Sequence, residues 1–206
     1  MLDRYAIAVI KKPLNVIGYH LHQKGITANQ VTLAGFALGA VALPLLATEH
    51  YLWALVFILI NRIFDGIDGA VARQTGISDS GGFLDISLDF LFYSSIPLGF
   101  VLASPESNAI AGAVLIFSFV GTGTSFLSFA IMASRYKLAN PVYQNKSLYY
   151  MSGLTEGTET ISCFILMCLL PNHFALIAAV FALMCFFTTM TRIWYGYHTI
   201  KHAESV

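Results

Sequence analysis

The chain has 206 residues, of which 57% are hydrophobic and 11% are charged, whereas about a quarter of the residues in a soluble domain are charged. This composition excludes an ordinary soluble domain. The formal net charge is zero, so no basic surplus attracts a polyanion, and we expect no nucleic acid partner. No proline-rich, glycine-rich or charged run divides the chain, which predicts a single domain over residues 1–206.

The N-terminal segment, residues 1–24, is predicted to lie in the membrane interface. Its first dozen residues mix charges with apolar side chains, as an amphipathic helix does. It lacks the uninterrupted apolar core and the small-residue cleavage site of a signal peptide. Pro13 is expected to end the helix.

Six apolar stretches follow, each near the roughly 20 residues that cross about 30 Å of hydrocarbon as a helix. Thr27 and Gln30 have the spacing of a capping box, which gives the first stretch a starting point. The sequence therefore predicts an all-α, polytopic membrane protein, a six-helix bundle over residues 29–195. The predicted spans are 29–47, 51–73, 81–103, 109–133, 155–171 and 174–195.

The cationic side chains all fall on one side of this six-span drawing. The three loops on the opposite side, near residues 49–50, 105–108 and 171–173, contain no Lys or Arg. By the positive-inside rule, both termini are expected to face the cytoplasm. The eleven cations are Arg4, Lys11, Lys12, Lys24, Arg62, Arg73, Arg135, Lys137, Lys146, Arg192 and Lys201.

Four aspartates stand near the cytoplasmic ends of the second and third spans. Asp65 and Asp68 are three residues apart, and Asp85 and Asp89 are four apart, so each pair projects from one helix face. A short polar turn joins the two spans, which predicts antiparallel neighbours with converging carboxylates. Unpaired carboxylates near hydrocarbon cost free energy, so a cation is expected beside them. A site with only oxygen ligands suits Mg²⁺ or Mn²⁺. Pairs of such divalent ions recur in enzymes that catalyse phosphoryl transfer.

Small residues surround these carboxylates and allow either of two interpretations. Gly66, Gly69, Gly81 and Gly82 leave room for a substrate to press against backbone, but glycines also allow helices to pack closely. Arg73 stands five residues after Asp68 and could bind a phosphate through its planar guanidinium. It could equally be a cytoplasmic anchor.

At these residues the sequence resembles the CDP-alcohol phosphatidyltransferase family, and within it a bacterial inner-membrane branch. The family pattern is D-x-x-D-G-x-x-A-R, a spacer, then G-x-x-x-D-x-x-x-D. All eight fixed positions are filled within 25 residues, with a seven-residue spacer: Asp65, Asp68, Gly69, Ala72, Arg73, Gly81, Asp85 and Asp89. The six spans and the cytoplasmic site are similar to the family as well, so the resemblance covers essentially the whole chain.

The resemblance implies a reaction and a role for each motif residue. The enzyme would transfer a substituted phosphate from a CDP-alcohol such as CDP-diacylglycerol to a small alcohol, releasing CMP. Asp65, Asp68, Asp85 and Asp89 would hold the two metal ions, with Asp89 also acting as general base on the acceptor hydroxyl. The implied donor-binding residues are Asp68, Gly69, Ala72, Arg73 and Gly81. Family members are dimers, so the resemblance implies a homodimer. The G-x-x-x-G spacing at Gly35 and Gly39 is a further, weak indication of helix pairing between two chains.

The acceptor residues are sought between residues 134 and 159, where both signs of charge occur near the fifth span. Arg135, Lys137 and Lys146 would bind the phosphate of a phosphorylated alcohol. Glu156 or Glu159 would instead hold the ammonium of an amino alcohol. These charges could also simply pair with one another and with interfacial lipid.

Two other functions compete with the transferase. Intramembrane carboxylates also occur in ion and proton transporters. Transporters usually show an internal repeat and midplane carboxylates, whereas this chain has no self-similar halves and its aspartates lie at one end. A noncatalytic lipid-binding membrane protein is the third interpretation, and retention of all four aspartates weighs against it.

Overall fold

A computed structural model of the protein describes residues 3–138 and 153–205, with side chains from residue 13 onward in these ranges. The described chain is helical and contains no strand. A 3-10 turn at Pro171–His173 precedes the last helix. The helices are α1 (Asp3–Gln23), α2 (Ala28–Ala40), α3 (Ala42–Ala47), α4 (Tyr51–Thr75), α5 (Asp79–Ala103), α6 (Pro105–Arg135), α7 (Gly157–Leu169) and α8 (Phe174–Glu204).

Within the described residues, four stretches are long and apolar enough to cross a membrane: Ala28–Ala47, Asp79–Ala103, Pro105–Arg135 and Pro171–Glu204. They correspond to the first, third, fourth and sixth predicted spans. The second predicted span is α4, which has 25 residues but carries two arginines and two aspartates in its second half. The fifth is α7, an apolar helix of 13 residues. The prediction of an all-helical fold is therefore confirmed for the described residues, with four candidate membrane spans.

The prediction that the first helix ends at Pro13 is wrong, because α1 continues through Pro13 to Gln23. An interior proline removes one backbone hydrogen bond and strains the preceding turn. Packing of the second half of α1 against α4 offsets that cost. A methyl group on Gly66 would lie 2.7 Å from Leu14 Cδ1, and one on Gly18 would lie 2.8 Å from Ala70 Cβ. Gly66 therefore serves helix packing.

The first span begins as predicted but is broken in the middle. Thr27 and Gln30 form the capping box: the Thr27 hydroxyl accepts from the Gln30 amide, and the Gln30 side chain accepts from the Thr27 amide. The helix is interrupted at Val41, between α2 and α3. Pro44 explains the break, because its ring excludes the carbonyl four residues earlier, at Ala40.

The fifth predicted span, 155–171, is shorter in the structure. Its start is fixed by a reciprocal cap, in which Glu156 accepts from the Glu159 backbone and the Glu159 side chain accepts from the Glu156 amide. Its end is fixed by Pro171, because the residue before a proline avoids the helical conformation. Leu170 accordingly has φ −128° and ψ 58°.

Helices α2 and α3 pack against both α4 and α5, and α6 packs against α5 and α8. The prediction that the second and third spans are direct neighbours is only partly right. The turn between α4 and α5 is short, but each of these helices packs more extensively against α2 and α3 than against the other. Glycines allow this approach, since a methyl group on Gly35 would lie 2.6 Å from Phe64 Cβ, and one on Gly39 would lie 2.8 Å from Asn61 Nδ2. The G-x-x-x-G spacing thus packs within one chain.

The aromatic core lies at the end of the bundle away from the aspartates. Phe100 stacks on Phe174 with ring centroids 4.6 Å apart, and on Tyr51 with centroids 5.4 Å apart. The Asn108 side chain donates to the Phe100 carbonyl at 2.9 Å, which satisfies a backbone group near the end of α5. The ends of α4 and α5 that lack the aspartates are therefore well fixed.

We expect Gly35→Val to lower the thermal stability of the protein in detergent, because the new side chain overlaps Phe64. Overpacking of this kind costs about 1–3 kcal/mol. The matched control is Ala37→Val on the exposed face of the same helix, which introduces the same β-branched side chain without a clash. A melting temperature for Gly35→Val equal to that of the control would contradict the close packing of α2 on α4.

Candidate metal and phosphate site

Three of the four predicted aspartates form a cluster. Asp65 and Asp68 come from the second half of α4, and Asp85 comes from the first half of α5. One carboxylate oxygen from each lies within 4.8 Å of the others. Asp68 is 6% exposed, so the cluster is turned into the protein. The structure thus brings together side chains from both sides of the α4–α5 turn, as the motif spacing predicts.

A small cavity covers the cluster. The described residues that line it come from α2, α4 and α5, and they include all four aspartates. They are Thr32, Gly35, Phe36, Asn61, Arg62, Asp65, Asp68, Asp85, Leu88 and Asp89. The cavity therefore combines the carboxylates with two polar side chains, Thr32 and Asn61, and one cation.

The fourth aspartate, Asp89, is engaged by an arginine. Arg62 Nη2 lies 2.7 Å from Asp89 Oδ1, and the side chain of Arg62 is 14% exposed. Arg62 Nη1 also lies 3.8 Å from Asp65 Oδ2. The sequence analysis treated Arg62 only as a cytoplasmic charge. Its position three residues before Asp65, on the same helix face, is the signal that could have placed it in the site.

Helix α2 supplies a hydrogen bond to the cluster. The Thr32 hydroxyl donates to Asp68 Oδ2 at 2.6 Å, the short distance of a hydrogen bond to a carboxylate. Sequence reasoning missed Thr32, because threonines are common in apolar spans and no spacing connects this one to the aspartates. The contact depends on the close packing of α2 against α4.

The predicted donor-binding residues lie near the cluster in the chain: Gly69, Ala72 and Arg73 follow Asp68 on α4, and Gly81 precedes Asp85 on α5. Arg73 donates to Asn15 Oδ1 at 3.2 Å, and its Nη1 would lie 3.4 Å from a methyl group on Gly69. A methyl group on Gly81 would lie 2.9 Å from Ser78 Oγ and within 3.0 Å of the Asn29 side chain. Ala72 is half-buried on the same segment of α4. Arg73 is exposed, and its role in donor binding stays a prediction.

The predicted acceptor residues lie elsewhere among the described residues. Arg135 ends α6 and is exposed, and Lys137 follows it in a turn with φ 51°. Lys146 lies outside the described residues. Glu156 and Glu159 form the cap of α7 and do not line the cavity over the aspartates. Their acceptor roles stay predictions.

A polar cluster near the start of α7 is a further feature that the sequence analysis missed. The Thr155 amide and hydroxyl both lie within hydrogen-bond distance of the Thr188 hydroxyl on α8, at 3.1 and 3.0 Å. Arg192, one turn later on α8, is 8% exposed and donates to the Thr122 carbonyl at 3.2 Å. The threonine contacts fix the segment before α7 against α8, and the Arg192 contact joins α8 to α6.

The donor set of the cluster fits a hard divalent cation. All three side chains offer carboxylate oxygens, and no His or Cys is found among the described residues that line the cavity. Oxygen ligands at this number and charge suit Mg²⁺ or Mn²⁺ rather than zinc or copper. A divalent ion at this position would also reduce the repulsion among the three carboxylates.

The family of CDP-alcohol phosphatidyltransferases matches residues 25–194 of the chain. The protein belongs to this family. It is therefore related to membrane-embedded, metal-binding transferases of phospholipid biosynthesis.

Two relatives show how the similarity is distributed. The inner membrane protein YnjF of Escherichia coli strain K12 is 55% identical over 204 residues, which cover 99% of each chain. The archaetidylinositol phosphate synthase of Pyrococcus horikoshii is 38% identical over 94 residues, which cover 45% of this chain and 50% of the relative. The likeness to the first extends over the whole protein.

Solved structures share the fold. The phosphatidylinositol phosphate synthase of Mycobacterium tuberculosis in complex with manganese and citrate has a TM-score of 0.67 at 18% identity, covering 89% of this chain and 88% of that one. The same enzyme with CDP-DAG bound has a TM-score of 0.63 at 18% identity, covering 91% and 92%. At this identity the likeness establishes the fold alone.

We expect Thr32→Val to weaken Mn²⁺ binding, because Asp68 loses the hydrogen bond that orients it. Loss of such an outer partner typically costs about 10–100-fold in metal affinity. Thr32→Ser keeps the hydroxyl and is the matched control, for which affinity close to wild type is expected. Isothermal titration of the detergent-solubilised protein with Mn²⁺ measures both. Equal affinity for the valine and serine variants would contradict the role of Thr32.

Proposed function

We propose that the protein transfers a substituted phosphate from a CDP-alcohol, such as CDP-diacylglycerol, to a small alcohol and releases CMP. The observation that carries this proposal is the cluster of Asp65, Asp68 and Asp85 from two helices, with Asp89 beside it, in a member of this family. The relative whose structure was solved with CDP-DAG bound supports the choice of donor.

The motif residues divide into ligand, base and donor-binding roles. Asp65, Asp68 and Asp85 would hold Mg²⁺ or Mn²⁺, which supplies positive charge against the diphosphate of the donor. Asp89 accepts the proton of the acceptor hydroxyl as the oxygen forms its bond to phosphorus. The diphosphate bond breaks, and its oxygen leaves with CMP. A second ion, which the family resemblance implies, would need Asp89 as a ligand as well.

The donor's polar end would lie along the segment of α4 that follows Asp68. Exposed Arg73 is placed to donate to a donor phosphate, and its contact with Asn15 holds it beside Gly69. Gly69, Ala72 and Gly81 would contact the cytidine and phosphates, and Asp68 would do so from the cluster. A bidentate donor of fixed charge suits a phosphate oxygen pair.

A groove between α5 and α6 fits the apolar end of the donor. Its described lining includes the aromatic and aliphatic side chains of Phe83, Ile86, Phe90, Phe119, Val120 and Leu127, and it begins at Asp79 and Gly82, close in the chain to the motif residues Gly81 and Asp85. A diacylglycerol donor needs apolar surface next to its diphosphate. The lining residues of this groove are Asp79, Gly82, Phe83, Ile86, Ser87, Phe90, Ser94, Phe119, Val120, Gly123, Thr124, Leu127 and Ser134.

The acceptor is a small alcohol, and two classes remain in the proposal. A phosphorylated alcohol would use the cations Arg135, Lys137 and Lys146. An amino alcohol would use Glu156 or Glu159, although their capping contacts already occupy part of each carboxylate. Relatives named as inositol phosphate lipid synthases support the phosphorylated class.

The proposal includes a membrane arrangement. One domain over residues 1–206 would cross the bacterial inner membrane six times, with α1 in the interface. Two of the six spans would be unusual: α4 because it carries charged residues, and α7 because it is short. Both termini and the aspartates would face the cytoplasm, in line with the one-sided placement of Lys and Arg. The active unit would be a homodimer.

We expect wild-type protein to release CMP from CDP-diacylglycerol in the presence of Mg²⁺ or Mn²⁺ and one acceptor of a panel of phosphorylated and amino alcohols. Asp85→Asn should lower the rate by more than about 100-fold, because removing a ligand exceeds the effect of outer contacts. Glu106→Gln, at an exposed acid in the first turn of α6, is the matched control. No CMP release by wild type with any acceptor would overturn the proposal.

We expect Val120→Trp to raise the KM for CDP-diacylglycerol about tenfold, equivalent to about 1.4 kcal/mol, because the indole fills the groove. A soluble CDP-glycerol donor should show an unchanged KM, since it has no acyl chains. Val114→Trp adds the same ring to an exposed position of α6 outside the groove lining and serves as control. Equal effects of the two variants would show that the groove does not bind the donor.

A further inference from the structure

Arg62 stands between the two parts of the aspartate array. Its Nη2 contacts Asp89 Oδ1 at 2.7 Å, and its Nη1 is 3.8 Å from Asp65 Oδ2. The guanidinium is therefore a fixed positive charge inside the cavity that the carboxylates line. A charge whose only function was to orient the protein in the membrane would be expected at the surface, facing lipid headgroups.

The guanidinium is held from several sides. Asn61 Oδ1 accepts from Arg62 Nε at 2.9 Å and from Nη2, and the Asn61 amide nitrogen donates to the Gly35 carbonyl at 3.0 Å. The Tyr93 hydroxyl accepts from Nη1 at 2.9 Å. The rings of Phe92 and Tyr93 lie 4.9 and 5.0 Å from the central guanidinium carbon. Contacts from α2, α4 and α5 thus fix the orientation of Arg62.

This arrangement distinguishes Asp89, which contacts Arg62 directly at 2.7 Å, from the cluster of the other three carboxylates. The charge of Asp89 is already balanced by a charge-assisted hydrogen bond. Asp65, Asp68 and Asp85 retain carboxylate oxygens within 4.8 Å of one another. A divalent ion that used Asp89 would have to approach a guanidinium of like charge and displace it from several hydrogen bonds.

We propose that Arg62 is a positioning residue that holds Asp89 apart from the metal cluster, so that the substrate-free protein binds one divalent ion at Asp65, Asp68 and Asp85. Asp89 then stays free of metal and faces the cavity as the base. This inference rests on the proposed function and changes one part of it, because Asp89 is a base without being a resting-state metal ligand.

Titration of the purified protein with Mn²⁺, followed by the electron paramagnetic resonance signal of free and bound Mn²⁺, tests the division. Wild type should bind one Mn²⁺ per chain without spin coupling to a second. Asp89→Asn should change the affinity by less than about threefold, whereas Asp65→Asn should weaken it more than about tenfold. A spin-coupled pair in wild type, or equal losses for the two variants, would overturn the proposal.

Variants of Arg62 test the cause. Arg62→Gln should gain a second, spin-coupled Mn²⁺, because Asp89 is released, and the double variant Arg62→Gln/Asp89→Asn should return to one. Arg62→Lys keeps the positive charge, so this variant should still bind one Mn²⁺. It loses the planar guanidinium that orients Asp89, so kcat should fall about 10–100-fold while the KM for the donor stays the same. Lys201→Gln, at an exposed cation of α8, controls for loss of charge.

The outcomes separate this inference from the transferase proposal. Absence of both Mn²⁺ binding and CMP release in wild type overturns both. Two coupled Mn²⁺ ions together with CMP release overturn the inference alone. The comparison of Asp89→Asn with Asp65→Asn needs no Arg62 variant, so it decides the question even if Arg62→Gln does not fold.

Discussion

Repulsion among four carboxylates at one end of a membrane bundle is the constraint on which the rest of the structure depends. Asp65, Asp68 and Asp85 share a space less than 5 Å across. Thr32 donates to Asp68, and Arg62 pairs with Asp89, and both contacts offset part of this repulsion. A small, hard cation in the cavity that the aspartates line would offset more of it.

Close helix packing supports the aspartate array. Gly35 and Gly39 let α2 touch α4, and Gly18 and Gly66 do the same for α1 and α4. At the other end, Gly99 brings α5 equally close to Leu46 of α3, and stacked aromatic rings around Phe100 fill the remaining space between helices. Glycine contacts therefore occur at both ends of the bundle, whereas the carboxylates lie at one end and this aromatic stack at the other.

The sequence predicts the helices and the aspartates well, because both signals are local. Apolar length, the Thr27 capping box and the spacing of Asp65, Asp68, Asp85 and Asp89 each lie within a few turns. The predictions from the sequence fail where packing between helices outweighs a local conformational preference. Pro13 should end α1, but packing on α4 keeps the helix intact.

Contacts between distant segments were beyond the sequence for a related reason. Thr32 reaches Asp68 across 36 residues, and Arg62 reaches Asp89 across 27, and neither pairing has a fixed spacing that marks it. The cytoplasmic charge pattern offered a sufficient explanation for Arg62. Because the positive-inside rule already accounts for an arginine at this position, the sequence alone gives no reason to assign Arg62 to the site.

Helix α2 bears no charged residue, yet both halves of the carboxylate array are attached to it. The Thr32 hydroxyl holds Asp68, and one turn later the Gly35 carbonyl holds Asn61, which in turn orients the guanidinium on Asp89. Because the two contacts share one face of a single rod, any rotation of α2 about its axis displaces both together. The uncharged helix α2 therefore sets the distance between the acidic side chains of Asp68 and Asp89.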